Sequence, residues 1–544
     1  MKRILISILL CFALILASCK LPTDAPTPPI GDQGGNVGNT GGSDAETDNP
    51  SGGADSENGD FGDTGGEKEE LCEHKDEGGD EICDVCRESV IEIIDFYVIN
   101  DLHGKLRDGD DHPGLDELTT YIKEMRKTDD NVILLSSGDM WQGSSESNLT
   151  SGLIITDWMN ELDFAAMTLG NHEYDFGEDV IEMNAEAADF PMLAINVFDR
   201  QSGTRVKYCS PSVTVQCGNV SVGIIGAIGD CYSSIAPERV EDVYFKVGSE
   251  LTKLVKDEAR RLRESGVDLV VYSIHDGYSS SSSGSISSSY LSSYYDPSLS
   301  EGYVDLVFEG HTHRSYVLKD SHGVAHLQGG GDNDGITHAE IRINSVTKSL
   351  SLSAAETVPA SVYENYADDP LIDSLLEKYS ELISKADEIL GNNARYRNSA
   401  YLCQSVAMLY YNSGVAKWGK QYDIALGGGF LSARSPYNLN AGEVTYGDLQ
   451  AIFPFDNEIV LCKISGSDLK KRFFDSNDDR YYIYYGEYGE SIKNSIDPNK
   501  TYYIVTDSYC ASYAPNGLTV VASYGDGIYA RDLLAEFIKS GGLE

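Results

Sequence analysis

Met167-Thr168-Leu169-Gly170-Asn171-His172-Glu173-Tyr174-Asp175-Phe176-Gly177 is the stretch on which the reading of this chain turns. A short apolar run ends at a glycine, and amide, imidazole and carboxylate groups follow at once. Four other stretches share the layout: Asn100-Asp101-Leu102-His103-Gly104, Ser137-Gly138-Asp139-Met140, Ser273-Ile274-His275-Asp276 and Gly310-His311-Thr312-His313. Each follows an apolar strand, so each sets O or N donors at a strand's C-terminal end, where open α/β sheets build their sites. Asp101, Asp139, Asn171, His103, His275, His311 and His313 together make one ligand set for two divalent metals, roughly 3.5–4 Å apart. His172 is left over for chemistry. Hard and borderline donors in this mixture suit zinc, manganese or iron rather than copper thiolate chemistry.

Outward from these motifs, β-branched runs at 93–99, 131–135, 220–228, 268–274 and 304–308 alternate with helical patterns at 115–126 and 250–264. That alternation predicts an α/β domain. Gly223-Ile224-Ile225-Gly226-Ala227-Ile228-Gly229 departs from a dinucleotide-binding GxGxxG and reads as a turn before a buried helix. Residues 279–293 hold eleven Ser in fifteen and read as an exposed loop close behind His275. Asn365–Leu390 carries Leu371, Ile372, Leu375, Leu376, Tyr379, Leu382 and Ile383 at helical spacing, and reads as one linker helix between two domains.

The five motifs in this order resemble the calcineurin-like metallophosphoesterases. Asn-Asp-x-His-Gly and the stretch 167–177 resemble the bacterial 5′-nucleotidase branch in particular. The resemblance implies a β-sandwich flanked by helices, and a place for each ligand. Asp101, His103 and His313 would hold one metal, Asn171, His275 and His311 the other, and Asp139 would bridge them. Many nucleotidases carry Gln where His313 stands. Glu173 would orient neighbours without being a ligand. His172 and Asp175 would form the catalytic dyad, stabilising charge on the phosphoryl or leaving oxygen while a metal-activated water attacks.

Four stretches of the last 150 residues resemble the 5′-nucleotidase C-terminal domain: 426–430, 442–449, 453–457 and 524–527. By that resemblance Phe455 and Tyr509 would sandwich a base, Asn457 would bond its edge, and Asp526 the ribose hydroxyls. Stacking on both faces is a sequence-tolerant way to hold nucleosides. The family's Arg directly follows a Gly-Gly-Gly-x core, whereas here Phe430-Leu431-Ser432-Ala433 intervene before Arg434. Arg434 is the expected phosphate ligand, with Arg395 and Arg397 as lesser choices. An insertion, Ser512–Ser523, separates Tyr509 from Tyr524-Gly525-Asp526.

At the N-terminus, Lys2-Arg3, the apolar run Ile4–Leu16 and Ala17-Ser18-Cys19 read as a secretory signal. Leu16-Ala17-Ser18-Cys19 also resembles a bacterial lipobox, implying a lipid-anchored Cys19 and an extracytoplasmic protein at the cell surface or in the periplasm. Residues 20–70, rich in Gly, Asp, Ser and Pro, hold almost no large apolar groups and read as a flexible tether. Lys20–Glu88 carries nineteen acidic and four basic residues, a good part of the chain's net charge of −46. Such a charge makes nucleic-acid polymers poor partners, while a small nucleotide remains compatible through a metal's positive charge. Cys72, His74, Cys83 and Cys86 have the spacing of a separate structural zinc site. A disulfide with one odd Cys, or a calcium site using Asp76, Asp80 and Asp84, are the alternatives.

The expected organisation is thus a signal at 1–19, a tether at 20–70, a Cys/His knob at 71–88, a metallophosphoesterase domain at 91–355, a linker helix at 356–390 and a substrate-binding domain at 391–544. The expected activity is removal of phosphate from extracellular 5′-nucleotides by a monomeric two-metal enzyme. A 2′,3′-cyclic-nucleotide or UDP-sugar hydrolase using the same site is the first alternative, and a non-catalytic surface binding module the second.

Overall fold

The computed structural model describes residues 72, 74–109, 112–129, 131–278, 294–431, 433, 438–475, 480–512, 517–525 and 527–543. The signal segment with Cys19, the acidic tether, the Ser-rich stretch 279–293, Arg434 and Asp526 lie outside the described residues.

Strand Ile91–Ile99 explains the first domain. Its residues Ile94, Phe96 and Val98 alternate with Tyr97 and Ile99, and both sets are buried. A strand apolar on both faces must be covered on both. On one face Ile94, Phe96 and Val98 meet Val222, Ile224, Val271 and Phe308 of a second sheet, with the Phe96 and Phe308 rings 5.8 Å apart. On the other, Tyr97 and Ile99 pack under Leu115, Leu118 and Ile122 of helix Leu115–Thr128 and under Trp158. Each such side chain contributes about 1.5–3 kcal/mol on burial.

The result is a sandwich of two six-stranded sheets with helices outside. The first runs in the order 350–359, 335–344, 91–99, 132–136, 166–168, 192–193, and the second 315–319, 325–329, 306–309, 269–275, 220–228, 212–217. Strands 91–99, 132–136, 166–168 and 192–193 of the first sheet lie parallel, as do 325–329, 306–309, 269–275 and 220–228 of the second, so Ile99 sits beside Ser136, Ser136 beside Met167, and Ile228 beside His275. Parallel register brings the loops after these strands to one edge. Helix Ser249–Glu264 covers the second sheet through Leu251, Val255, Ala259 and Leu262, spaced as one helical face.

Two expectations are corrected. Gly223 and Gly226 lie within strand Val220–Ile228 and form no turn. A Cβ on Gly226 would lie 2.3 Å from Leu193 Cβ, so the glycine is there for close packing between strands. The linker is not one helix over 365–390, and strand Leu350–Pro359 runs past the expected boundary. Asp369 caps a helix only from Pro370, accepting from Leu371 N–H, and this helix stops at Lys378. A four-residue turn, Ser380–Ile383, follows. Tyr379 at the break sends its hydroxyl, and Lys378 its ammonium, to Asp157, which fixes the segment on the first domain.

In the C-terminal domain a five-stranded mixed sheet runs in the order 481–484, 424–430, 501–507, 459–465, 519–523. Helix Ser399–Trp418 lies on it through Leu402, Val406 and Tyr410. Gly427 permits the close approach, because a Cβ there would lie 2.4 Å from Tyr411 N and 2.5 Å from Ala407 O.

Candidate active site

All seven expected metal ligands converge at the edge where the parallel strands end. Asp101, His103 and His313 offer donors within 4.8 Å of one another, as do Asp101, Asp139 and His275. Asp101 is therefore common to both groups. His103 Nε2 lies 3.0 Å from His313 Nε2, and His313 Nε2 lies 3.3 Å from Asp101 Oδ1. His275 Nε2 lies 3.0 Å from Asp139 Oδ2. Ligands at 2.0–2.1 Å around a tetrahedral zinc stand about 3.3 Å from each other, so these are coordination-edge spacings.

The backbone carries a cost here. Asp101, His103, Asp139, His311 and His313 have φ of 51°, 52°, 56°, 71° and 52°. Left-handed backbone costs a non-glycine residue on the order of 1–2 kcal/mol. Five such residues approach a whole domain's net stability of about 5–15 kcal/mol, so the surrounding packing must hold them. Glycines make the crowding possible. A Cβ on Gly138 would meet His275 Nδ1 at 2.7 Å, and one on Gly170 would meet Asp139 Oδ1 at 2.2 Å.

Outer contacts aim the ligands. His103 Nδ1 faces Gln142 O at 2.8 Å and His275 Nδ1 faces Ser137 O at 2.6 Å. A carbonyl only accepts, so each Nδ1 carries hydrogen and each Nε2 is turned to the centre. Among the described residues buried Asn171 Oδ1 has no hydrogen-bond partner, and His275 Nε2 has only the Asp139 carboxylate within hydrogen-bond distance. Buried polar atoms left so are costly, and a metal is the partner their positions fit. Glu173 behaves as expected: its two oxygens accept from the N–H groups of Asp139, Met140 and Gly170 at 2.9, 2.8 and 2.7 Å.

Protons and metals compete for this centre. Burial alone would lower His275, but Asp139 and Asp101 override it and hold it up to about 10. Burial opposes His313 likewise, and Asp101 and Asp332 hold it up to about 10. Burial, with the positive His275 beside it, brings His311 down to about 4. Burial would raise Asp139, yet His275, His172 and His103 keep it well below the usual carboxylate range.

His172 Nδ1 and Asp175 Oδ2 are 2.5 Å apart. Both line a cavity of ≈ 290 Å³ with Asn171 and His311, and its opposite wall comes from the C-terminal domain: Phe430, Phe455, Asn457, Asp507 and Tyr509. The His172 and Phe455 rings stack at 6.1 Å. Strand Ile424–Phe430 delivers Phe430, and strand Thr501–Asp507 ends at Asp507 just before Tyr509. Burial pushes Asp507 up to about 6.

Sequence reasoning missed several members. Arg480 and Arg239 line the cavity, whereas Arg395 is exposed and Arg397 is buried against Asn393 and Leu543 O, away from it. Arg480 lies 4.2 Å from the Phe430 ring, which makes Phe430 a third cleft aromatic beside Tyr509 at 6.2 Å. Buried Arg531 donates to the carbonyls of Phe453, Pro454 and Phe455 and pairs with Asp456, and so shapes the Phe455 loop. No short motif marks these arginines. Cys231 Sγ lies within 4.8 Å of His275 and His311 donors. Burial and Asp276 push its thiol well above the usual range, so it stays protonated and donates to His275 O at 2.9 Å.

Comparison with known proteins follows the same division. The family model for calcineurin-like phosphoesterases matches residues 94–315, and that for the 5′-nucleotidase C-terminal domain matches 404–486. Protein UshA of Yersinia enterocolitica is 24% identical over 81% of this chain and 87% of its own length. The mouse 5′-nucleotidase is 25% identical over 69% of this chain and 70% of its own. The solved 5′-nucleotidase precursor of Thermus thermophilus superposes with a TM-score of 0.61 at 18% identity, covering 82% of this chain and 96% of that one, a likeness of fold.

Proposed function

We propose a function from one premise: the chain belongs to the calcineurin-like phosphoesterases that carry a 5′-nucleotidase C-terminal domain, metal-dependent hydrolases of phosphoesters. Our reading is a two-metal phosphohydrolase that removes phosphate from 5′-nucleotides. The single observation that carries it is the cleft, where the His172–Asp175 pair faces the aromatic wall of Phe430, Phe455 and Tyr509 across ≈ 290 Å³. That volume is near the lower end of small-molecule pockets, about 300 Å³, the size class of a small ligand.

Asp101, His103 and His313 would hold one metal and Asn171, His275 and His311 the other, with Asp139 between them. Bound there, two divalent ions supply a water made nucleophilic near neutral pH and neutralise phosphoryl charge. The chain's own residues do the rest. Asp175 fixes the His172 ring through Nδ1, so any proton exchanged with substrate passes through Nε2 and goes to the leaving ribose oxygen. Arg480 and Arg239 face phosphate charge from the cleft wall. Phe455 and Tyr509 stack the base, and Asn457 bonds its edge. The sequence at 2–19 supports action outside the cytoplasm by a protein anchored through Cys19.

Phosphate release by the full chain tests this, with manganese or zinc against chelator, on AMP, UDP-glucose and 2′,3′-cyclic AMP. Metal-dependent release from AMP, lost in His172→Ala, is expected. Release only from the cyclic or UDP substrate would move the substrate and keep the mechanism. No release from any of the three by metal-loaded protein would refute the reading.

A further inference from the structure

Ahead of strand Ile91–Ile99, Cys72 and residues 74–90 belong to a small loop with almost no apolar interior. Cys83 and Val90 are buried, while Ile82 and Val85 are 36% and 65% exposed. Its backbone is nevertheless well defined: Cys83 N–H donates to Glu88 O, Arg87 N–H to Cys83 O, Asp84 N–H to Lys75 O and Val90 N–H to Glu81 O, at 2.7–2.9 Å. A loop this short of core needs another staple.

We propose that Cys72, His74, Cys83 and Cys86 bind one tetrahedral zinc ion, separate from the catalytic metals. The four side chains bring three sulfurs and a ring nitrogen within 4.8 Å of one another. Cys72 Sγ and Cys83 Sγ are 3.8 Å apart, and Cys86 Sγ and His74 Nδ1 are 3.5 Å apart. Zinc bonds of about 2.3 Å to sulfur and 2.0–2.1 Å to nitrogen give tetrahedral edges of about 3.8 Å for S···S and about 3.5 Å for S···N. Both edges agree with the distances found.

The two alternatives fit poorly. A disulfide needs sulfurs about 2.05 Å apart, and all three cysteines are free. It would also leave a third thiol and an imidazole aimed at the same point. Calcium needs six to eight oxygen ligands, and the carboxylates at hand are turned to the backbone. Asp76 accepts from the N–H groups of Gly79, Asp80 and Glu81, Asp84 from that of Glu77, and Asp80 from that of Ile82. Those bonds fold the loop around the softer donors. Cys83 Sγ in turn accepts from the N–H groups of Lys75 and Val85 at 3.4 Å, the outer support that metal thiolates take. Strand Ile91–Ile99 separates this site from Asp101, and nine residues span about 30 Å.

Cobalt(II) added to the chelator-stripped, reduced full chain tests the proposal. The expected result is thiolate-to-cobalt charge-transfer absorption in the near ultraviolet that is weakened in Cys86→Ser, which leaves two of the three thiolates, is kept in full in Cys231→Ser, and is abolished by zinc but not by calcium. Absorption that is absent, keeps its full intensity in Cys86→Ser, or is lost in Cys231→Ser alone overturns it, as does a Cys72–Cys83 disulfide in the freshly purified chain. Should Cys86→Ser fail to fold, the unmutated chain gives a second readout. Iodoacetamide should label Cys72 and Cys86 slowly with zinc and quickly after chelation, and equal rates would overturn the assignment.

Discussion

Replacing Glu173 by Gln keeps the side chain's shape and removes the carboxyl that four backbone donors share. Burial first and Asp139 second push that group up to about 7, so the comparison is made at pH 8 and above, where it is charged. Oε2 accepts from Asp139 and Gly170 at 2.9 and 2.7 Å, and Oε1 from Met140 at 2.8 Å and Trp141 at 3.4 Å. Glutamine has one carbonyl oxygen. Turned toward Asp139 and Gly170, it keeps two bonds in neutral form, each weaker by about 1 kcal/mol. Its amide then opposes Met140 N–H, which is left buried and unmatched at about 1–3 kcal/mol. Relief of the repulsion between Glu173 and Asp139 offsets part of this. The expected net loss is about 2–4 kcal/mol, within a domain's net stability of about 5–15 kcal/mol, so the variant folds. Because Asp139 rides on the disturbed loop, metal affinity should also fall by about 10–100-fold, equivalent to about 1.4–2.8 kcal/mol. Urea unfolding of the metal-free protein and chelator competition measure the two effects. Stability within about 0.5 kcal/mol of the unmutated protein together with unchanged metal affinity would refute the argument that Glu173 acts by holding the loops.

Asp175→Asn should lower kcat by about 10²–10⁴-fold with metal content unchanged; a loss of metal instead would place Asp175 among the groups that support the centre. Arg531→Met removes a buried cation from Asp456, which is 41% exposed, and from three loop carbonyls, and should cost about 1–3 kcal/mol and raise KM through Phe455. A thermal midpoint and KM both unchanged would sink that reading. Metal affinity should rise with pH. His275 and His313, held at about 10, carry protons below that value which a metal must displace, at up to tenfold per proton per pH unit. Isothermal titration at pH 6 and 8 measures this, and equal affinities would contradict it. In the metal-free protein the same two groups stabilise the fold most fully below about 6.5, and that contribution fades as pH climbs through about 10.

The chemistry of this chain is local, and so it was legible in one dimension. Each expected ligand stands within a few residues of the end of an apolar strand, so strand periodicity together with donor type put forward Asp101, His103, Asp139, Asn171, His275, His311 and His313, with His172 for chemistry, and the family resemblance added Asp175. The strands themselves were read within about two residues, because burial on both faces leaves a run of apolar residues that few other structures produce. Arg239, Arg480, Arg531, Phe430 and Asp332 carried no such mark. They reach the site from loops, strand ends and helix ends of both domains, Arg531 from the first turn of helix Ala530–Lys539. Only the packing of one domain on the other gives an arginine or a phenylalanine a place in the cleft. The linker was misread for a related reason. Helical spacing records which residues are apolar, whereas the break at Tyr379 depends on Asp157, more than two hundred residues away. In the knob the spacing of Cys72, His74, Cys83 and Cys86 left three answers open. The sequence alone determined which donor atoms this protein brings. Tertiary structure decided how far apart they stand and which carboxylates are already engaged, because those are distances in space between groups that the chain separates.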